Sequence, residues 1–385
     1  MPFAKRTRHL KPEGAYEVLA RANQLEATGK EIIHLEVGQP DYATFENVSQ
    51  AGIEAIKSGK TRYTPPAGMP ALREAIAEKA GLQRDIEVHP EEVVVSPGGK
   101  PNLFFPTMAL IEPGDEVIYP NPGFPTYEAM IQVAGGLPVA VPLLEENQFS
   151  FDLEAFDKVI NDKTKLIILN SPSNPTGGII PPADLEHIAS QAERYNCWVM
   201  SDEIYARIVY DGLEALSIAS LPGMKERTII VDGFSKTYAM TGWRLGFGIM
   251  PVELVKRVDL LLTHSIGSTA HFTQFAGLEA VTGPQDMVNV MVSEYQRRRD
   301  AVVDGLNAIH GFVCQKPQGA FYVFPNITGT GMNSIELANL ILEKAGVALL
   351  PGNSFGEYGE GYLRISYANS LENIRKGLDR IKLIL

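Results

Sequence analysis

Positive charge is in deficit in this chain. It has 34 Lys and Arg against 46 Asp and Glu, a formal net charge of −12. That argues against nucleic acid or an anionic membrane surface as the main partner. A small anionic ligand stays open, because a few local cations decide that. Cysteine is scarce: Cys197 and Cys314 stand far apart, make no metal or redox motif, and read as buried thiols in a reducing cytoplasm. The seven histidines lack metal-ligand spacing, so no metal is expected. No uninterrupted apolar run approaches the length of a membrane span. Residues 1–14 lack the apolar core of a secretory signal. Repeats and low-complexity tracts are absent.

What is present is 385 residues with 45% hydrophobic and 21% charged side chains, a soluble globular composition long enough for two domains. Short apolar runs alternate with helical patterns, which predicts an α/β fold with a largely parallel sheet. The expected strands are 93–95, 117–119, 166–169, 197–200, 228–231 and 245–250, with two more at 319–324 and 362–366. Leu185, Ile188, Ala189 and Ala192 follow helical spacing and predict an amphipathic helix over 183–195. A longer pattern predicts a helix over 287–309 that connects two domains. The run Arg297-Arg298-Arg299 inside it reads as a solvated face. The last helix, 371–385, buries Ile374, Leu378 and Ile381, with Ser370 as its N-cap.

Four segments place polar groups at predicted strand ends, the edge where open α/β sheets bind ligands. Ser96-Pro97-Gly98-Gly99-Lys100-Pro101-Asn102 is a glycine turn into a helix, and the free N–H groups of a helix start suit an anion. Asn174 lies in Asn170-Ser171-Pro172-Ser173-Asn174-Pro175, a fixed donor at the same edge. Ser201-Asp202-Glu203-Ile204-Tyr205 offers either a helix cap or a carboxylate for a protonated heteroaromatic nitrogen, with Tyr205 beside it. Ser235-Lys236-Thr237 through Gly242-Trp243-Arg244 sets a lysine suited to imine chemistry eight positions before an arginine that can neutralise a phosphate. Each segment alone has an ordinary structural reading; their succession in order favours a ligand.

At these residues the chain resembles the fold-type-I pyridoxal-phosphate aminotransferases of class I/II, in the branch with aspartate, aromatic and prephenate aminotransferases. The resemblance runs from Leu35-Glu36-Val37-Gly38-Gln39-Pro40-Asp41 through SNPTGG at 173–178, SDEIY at 201–205 and SKTYAMTGWRLG at 235–246 to YLRISYA at 362–368. It implies a large domain with a mostly parallel seven-stranded sheet, spanning 46–285. A smaller α+β domain would come from 1–45 and from 286–385, the latter including the long linking helix. It implies pyridoxal 5'-phosphate as cofactor, held covalently by Lys236, with Asp202 on the pyridine nitrogen and Tyr205 and Asn174 on the phenolic oxygen. Arg244, Gly99 and Lys100 would hold the phosphate, and Phe124 would stack on the ring. Tyr63 would reach the phosphate of a neighbouring subunit, making the active unit a homodimer. Arg364 would bind the substrate α-carboxylate, helped by Gly38 and Asn174. The reaction implied is ping-pong transfer of an amino group between an α-amino acid, such as aspartate, glutamate or an aromatic one, and a 2-oxo acid.

The chain departs from the pattern at Gly233, where many relatives carry a phosphate-binding serine, and at Phe124, where many carry Trp or Tyr. Ser235 is a candidate substitute for the first. In part of this branch a lysine at the position of Lys100 contacts the distal carboxylate of acidic substrates; here a solvated flank of the phosphate loop is the other reading. Phe104 and Phe105 suit either an aromatic pocket or the core. A lyase or synthase on the same fold would need the same lysine, aspartate and arginine. A DNA-binding regulator would need an added domain, for which about 30 residues precede the family pattern.

Overall fold

The computed structural model describes residues 3–8, 10 and 12–385. Its strands, in chain order, are β1 (Ile33–His34), β2 (Val93–Ser96), β3 (Glu116–Asn121), β4 (Leu137–Leu144), β5 (Ser150–Phe151), β6 (Thr164–Asn170), β7 (Trp198–Asp202), β8 (Thr228–Gly233), β9 (Gly246–Ile249), β10 (Tyr322–Val323), β11 (Val347–Ala348), β12 (Leu350–Pro351) and β13 (Leu363–Ser366).

The large sheet has the order β2-β9-β8-β7-β6-β3-β4-β5. β4, β3, β6, β7 and β8 run parallel, while β9 and the edge strand β5 run antiparallel to their neighbours. The fold is therefore α/β with a mostly parallel sheet. The sheet has eight strands rather than seven, because the two-residue β5 extends its edge. Of its central strands, β8 is buried along its whole length and β6 everywhere except Lys165, as expected of parallel strands covered by helices on both faces. β4 was invisible in the sequence: Pro138 and Pro142 interrupt its apolar run, yet Leu137 to Pro142 pair in register with β3.

The chain order reverses between β3 and β6, which are neighbours although β4 and β5 intervene. Such a switch opens a crevice at the carboxyl ends of the strands. The ends of β2, β3, β6, β7 and β8 all point to that edge.

The helix Pro182–Arg194 buries Leu185, Ile188, Ala189 and Ala192, as predicted. Each fully buried Leu or Ile contributes about 1.5–3 kcal/mol. The last helix, Leu371–Lys382, buries Ile374, Leu378 and Ile381, and the Ser370 hydroxyl caps it by accepting from Asn373 N at 3.1 Å. Both chain ends meet: β1 pairs in parallel with β11, and Glu31 bonds Lys376 and Arg380. β10, β13 and β12 form a small antiparallel sheet nearby.

The long helix spans Asp286–Asn307, and here one expectation fails. Arg297 is exposed, but Arg298 and Arg299 are buried. Arg298 binds Asp41 at 2.8 Å and Glu294 at 2.9 Å. Arg299 makes a two-pronged bond to Asp211 at 2.6 and 2.9 Å and lies over the Tyr210 ring. The reason is periodicity: Val288, Met291, Tyr295, Val302 and Leu306 mark the inward stripe, and positions 298 and 299 fall on it.

Candidate active site

The crevice at the strand ends holds a cavity of about 620 Å³, within the range of small-molecule sites. Of the residues singled out in the sequence, Gly38, Gly99, Lys100, Phe124 and Asn174 line it. Asp202, Tyr205, Lys236, Arg244 and Arg364 line it too.

Lys236 sits in a one-turn helix, Phe234–Thr237, directly after β8. Its Nζ donates to the Gly38 carbonyl at 2.5 Å and lies 5.9 Å from the Tyr205 ring centroid. Burial first, then the charges of Arg364 and Arg244, pull its pKa from 10.5 to about 8. A larger share of this amine is neutral at physiological pH than for an ordinary lysine.

Two cationic anchors flank it. Arg244 takes a left-handed backbone conformation (φ 54°), unusual for a residue with a side chain. Its Nη1 donates to Thr241 O at 2.9 Å. Its Nη2 lies so close to the turn before the helix Lys100–Leu110 that a Cβ on Gly98 would fall 2.3 Å from it. Gly98 itself has φ +87°, a backbone conformation that favours glycine. A guanidinium therefore stands beside the first N–H groups of that helix, which have no intrahelical acceptor. Fixed donors and one cation converging on a cradle without side chains fit a phosphate.

Arg364, on β13, is the second anchor and is buried. Its Nη1 donates to Asn174 Oδ1 at 3.1 Å, its Nη2 to the Glu36 carbonyl, and its Nε has no partner among the described residues. Burial lowers its pKa, against the pull of Tyr322 and Tyr205. This is a desolvated guanidinium with no carboxylate on it. Tyr322 supports the same wall: its ring lies 4.5 Å from the Arg364 guanidinium carbon, and its hydroxyl meets that of Tyr205 at 2.8 Å. A Cβ on Gly38 would fall 2.3 Å from that hydroxyl, which explains the glycine there.

Asp202 ends β7 and is buried. Its Oδ2 accepts from Tyr127 Oη at 2.7 Å and its Oδ1 from Ile204 N at 3.3 Å. Burial raises its pKa to about 6 despite both bonds. It lines the cavity, and among the described residues no helix starts directly after β7 for it to cap. Its neighbour Glu203 points to the other face, as consecutive strand residues do. There Arg84 bonds Glu203 and Asp232, each at 2.6 Å.

The loop after β6 is fixed by Asn170, whose Oδ1 accepts from Asn174 N at 2.8 Å and whose Nδ2 donates to Asp202 O at 2.9 Å. Phe124 packs edge-on against Tyr127, with centroids 5.7 Å apart. Lys100 lies over the Phe124 ring and pairs with Glu13. Phe104 and Phe105 are half-buried, packing edge-on against each other and onto the core. Gly233 has extended backbone, and a Cβ there would crowd Gly246 at 3.1 Å; Ser235 does line the cavity. Tyr63 is the exception among the expected site residues. It is 94% exposed and absent from the cavity of its own chain.

Sequence reasoning missed Tyr127, Tyr322, Asn170 and Glu13. The pairs Tyr127–Asp202 and Tyr322–Tyr205 join positions 75 and 117 apart, with no local pattern to announce them.

Residues 30–381 match the family Aminotransferase class I and II. A probable aspartate/prephenate aminotransferase of Aquifex aeolicus is 40% identical, covering 99% of this chain and 98% of that protein. Aromatic-amino-acid aminotransferase 2 of Thermococcus litoralis is 40% identical over 92% of both. The structure of the aspartate aminotransferase from Thermus thermophilus with maleate superposes with a TM-score of 0.96 at 38% identity, covering 100% of both chains. The chain belongs to the class I and II aminotransferase family and is a transaminase of fold type I; these relatives do not favour the lyase or synthase alternative.

Proposed function

From that membership we propose that the enzyme uses pyridoxal 5'-phosphate to move an amino group between an α-amino acid (aspartate, glutamate or an aromatic one) and a 2-oxo acid. The observation that carries this is a pair: a lysine of lowered pKa facing a buried arginine that has no carboxylate partner. The cofactor, when bound, supplies an aldehyde that bonds amines and a ring that draws negative charge off the substrate α carbon.

The residues present fit it. Lys236 is the amine for the aldehyde and, when free, carries a proton to or from the substrate α carbon. A positioned base contributes roughly 10²–10⁴-fold. Asp202, near pH 7 mostly ionised and without a cationic partner, keeps a ring nitrogen protonated. Tyr205 and Asn174 donate to the phenolic oxygen. Arg244 and the N–H groups of Gly99 and Lys100 hold the phosphate, and Phe124 covers the ring. Arg364 grips the α-carboxylate with two parallel bonds, with Asn174 and Gly38 alongside; the planar fork is what a lysine lacks.

Tyr63, extended from its own subunit, supports a homodimer in which it reaches the partner's phosphate site. The cofactor domain would be 46–285 and the smaller domain 1–45 with 286–385, a division supported by the β1–β11 pairing. Among the described residues no helix is long and apolar enough to cross a membrane. The two cysteines are free and buried, and burial pushes their thiols up to about 11 and about 12; inert thiols suit the cytoplasm.

Lys236→Ala tests the assignment. It is expected to remove the visible absorption of lysine-bound cofactor and to cut turnover by roughly 10²–10⁴-fold. A purified variant that keeps both would sink it.

A further inference from the structure

Four cationic side chains line the cavity among the described residues: Lys100, Lys236, Arg244 and Arg364. In the function proposed above, on which this inference rests, three have fixed partners: the aldehyde for Lys236, the phosphate for Arg244 and the α-carboxylate for Arg364. Lys100 is the one left to greet a charge on the substrate side chain. It is not free. Glu13, just ahead of the helix Gly14–Ala27, binds its ammonium, and the pair stands at the cavity wall beside Phe124. Glu13 is about a quarter exposed on its side chain and Lys100 about half, so the pair sits at the mouth and not in the core. The Glu13 carboxylate is close enough that its field also acts on Arg364.

The same helix gives the cavity Ala15, Tyr16 and Leu19. This wall is apolar and aromatic, and its one cation is already neutralised. A second carboxylate on the substrate would have to displace Glu13 from Lys100 and would then lie beside it. Like charges so placed disfavour binding. A neutral side chain meets no such obstacle and covers apolar surface.

We infer that Glu13 is a specificity-determining residue that masks Lys100 and turns the site toward amino acids with neutral apolar or aromatic side chains, and away from dicarboxylic ones. Glu13 forms no part of the amino-transfer chemistry; it sets which side chain is admitted.

The test uses the cofactor-loaded enzyme and the variants Glu13→Gln, Lys100→Met and the double variant. Two quantities are read: the ratio of kcat/KM for aspartate over phenylalanine, and the dissociation constants of succinate and 3-phenylpropanoate by calorimetry. Glu13→Gln unmasks the lysine. It is expected to raise the aspartate ratio about tenfold and to tighten succinate similarly, a change of about 1.4 kcal/mol, with 3-phenylpropanoate little changed. Lys100→Met leaves Glu13 unopposed and is expected to lower the ratio. The double variant is expected to return toward wild type, since the pair is then neutral again. An aspartate ratio and succinate affinity that stay level or fall in Glu13→Gln would overturn the inference. Failure of the wild-type enzyme to transaminate any donor would instead overturn the function on which it rests.

Discussion

Arg84 and Arg364 are both buried, yet they live in opposite company. Arg84 bonds two buried carboxylates, Glu203 and Asp232, and those are held further by Ser201 and Ser217 and by Gly233 N. Burial works against its charge, but the two acids outweigh that and hold its pKa above the ordinary value. Arg364 has only an amide oxygen and a carbonyl, and its Nε has no partner among the described residues. The acids divide in the same way. Glu203 and Asp232 have their arginine, while Asp202, on the other side of the strand, has only a tyrosine and a backbone N–H. A buried charge without an opposite charge is costly to maintain. Where the chain completes its own pairs the cluster serves the fold; where it withholds the partner, the proposed function assigns the missing charge to a ligand.

Arg84→Met puts the largest load on this comparison. It strands Glu203 and Asp232, and breaking a buried pair in this way costs about 3–5 kcal/mol. Urea unfolding followed by circular dichroism is expected to show that loss, and a variant as stable as wild type would erase the distinction. Arg364→Lys comes next and goes the other way. Stability is expected to hold, while substrate binding weakens by about 1.5–3 kcal/mol, the worth of a charged hydrogen bond. A rise in KM of that size with unchanged cofactor absorbance would sharpen the contrast; cofactor loss would place the arginine elsewhere.

The last test concerns the unpaired lysine. In cofactor-stripped protein Lys236 titrates near 8 when folded and near 10.5 when unfolded. Between these values the unfolded chain holds a proton that the folded chain has released. Stability from this group therefore rises with pH across the window and is lost as pH falls through it. Lys236→Met is expected to flatten the stability profile between pH 8 and 10.5 relative to wild type. Parallel profiles would mean that the amine is not desolvated.

The parts of the site that could be read in the sequence were those encoded locally. Gly98-Gly99, Asn174 and Lys236 each follow a strand within a few residues, Asp202 ends one and Arg244 stands just before one, so a short run of chain carries each signal. Arg364 was found only through the YLRISYA resemblance. The supporting contacts were illegible, because Tyr127, Tyr322, Glu13 and Arg84 reach their partners across long stretches of sequence. Arg298 and Arg299 differ: their burial was written in the period of Tyr295, Val302 and Leu306, and three like charges in a row obscured it. β4 was hidden by its prolines. Lys100 kept two readings in the sequence, and its partner Glu13 gives it a third.

The parallel pairing of Ile33 with Val347 has a consequence for how the protein is made. These residues lie about 310 positions apart, so β1 leaves the ribosome long before its partner exists. At roughly 5–20 residues per second, β1 waits on the order of 15–60 s with its backbone unpaired. The large sheet can be translated to its last strand, β9, in that interval, whereas the wall that carries Arg364 must await β13. β1 is made early and is among the last strands to find its partner.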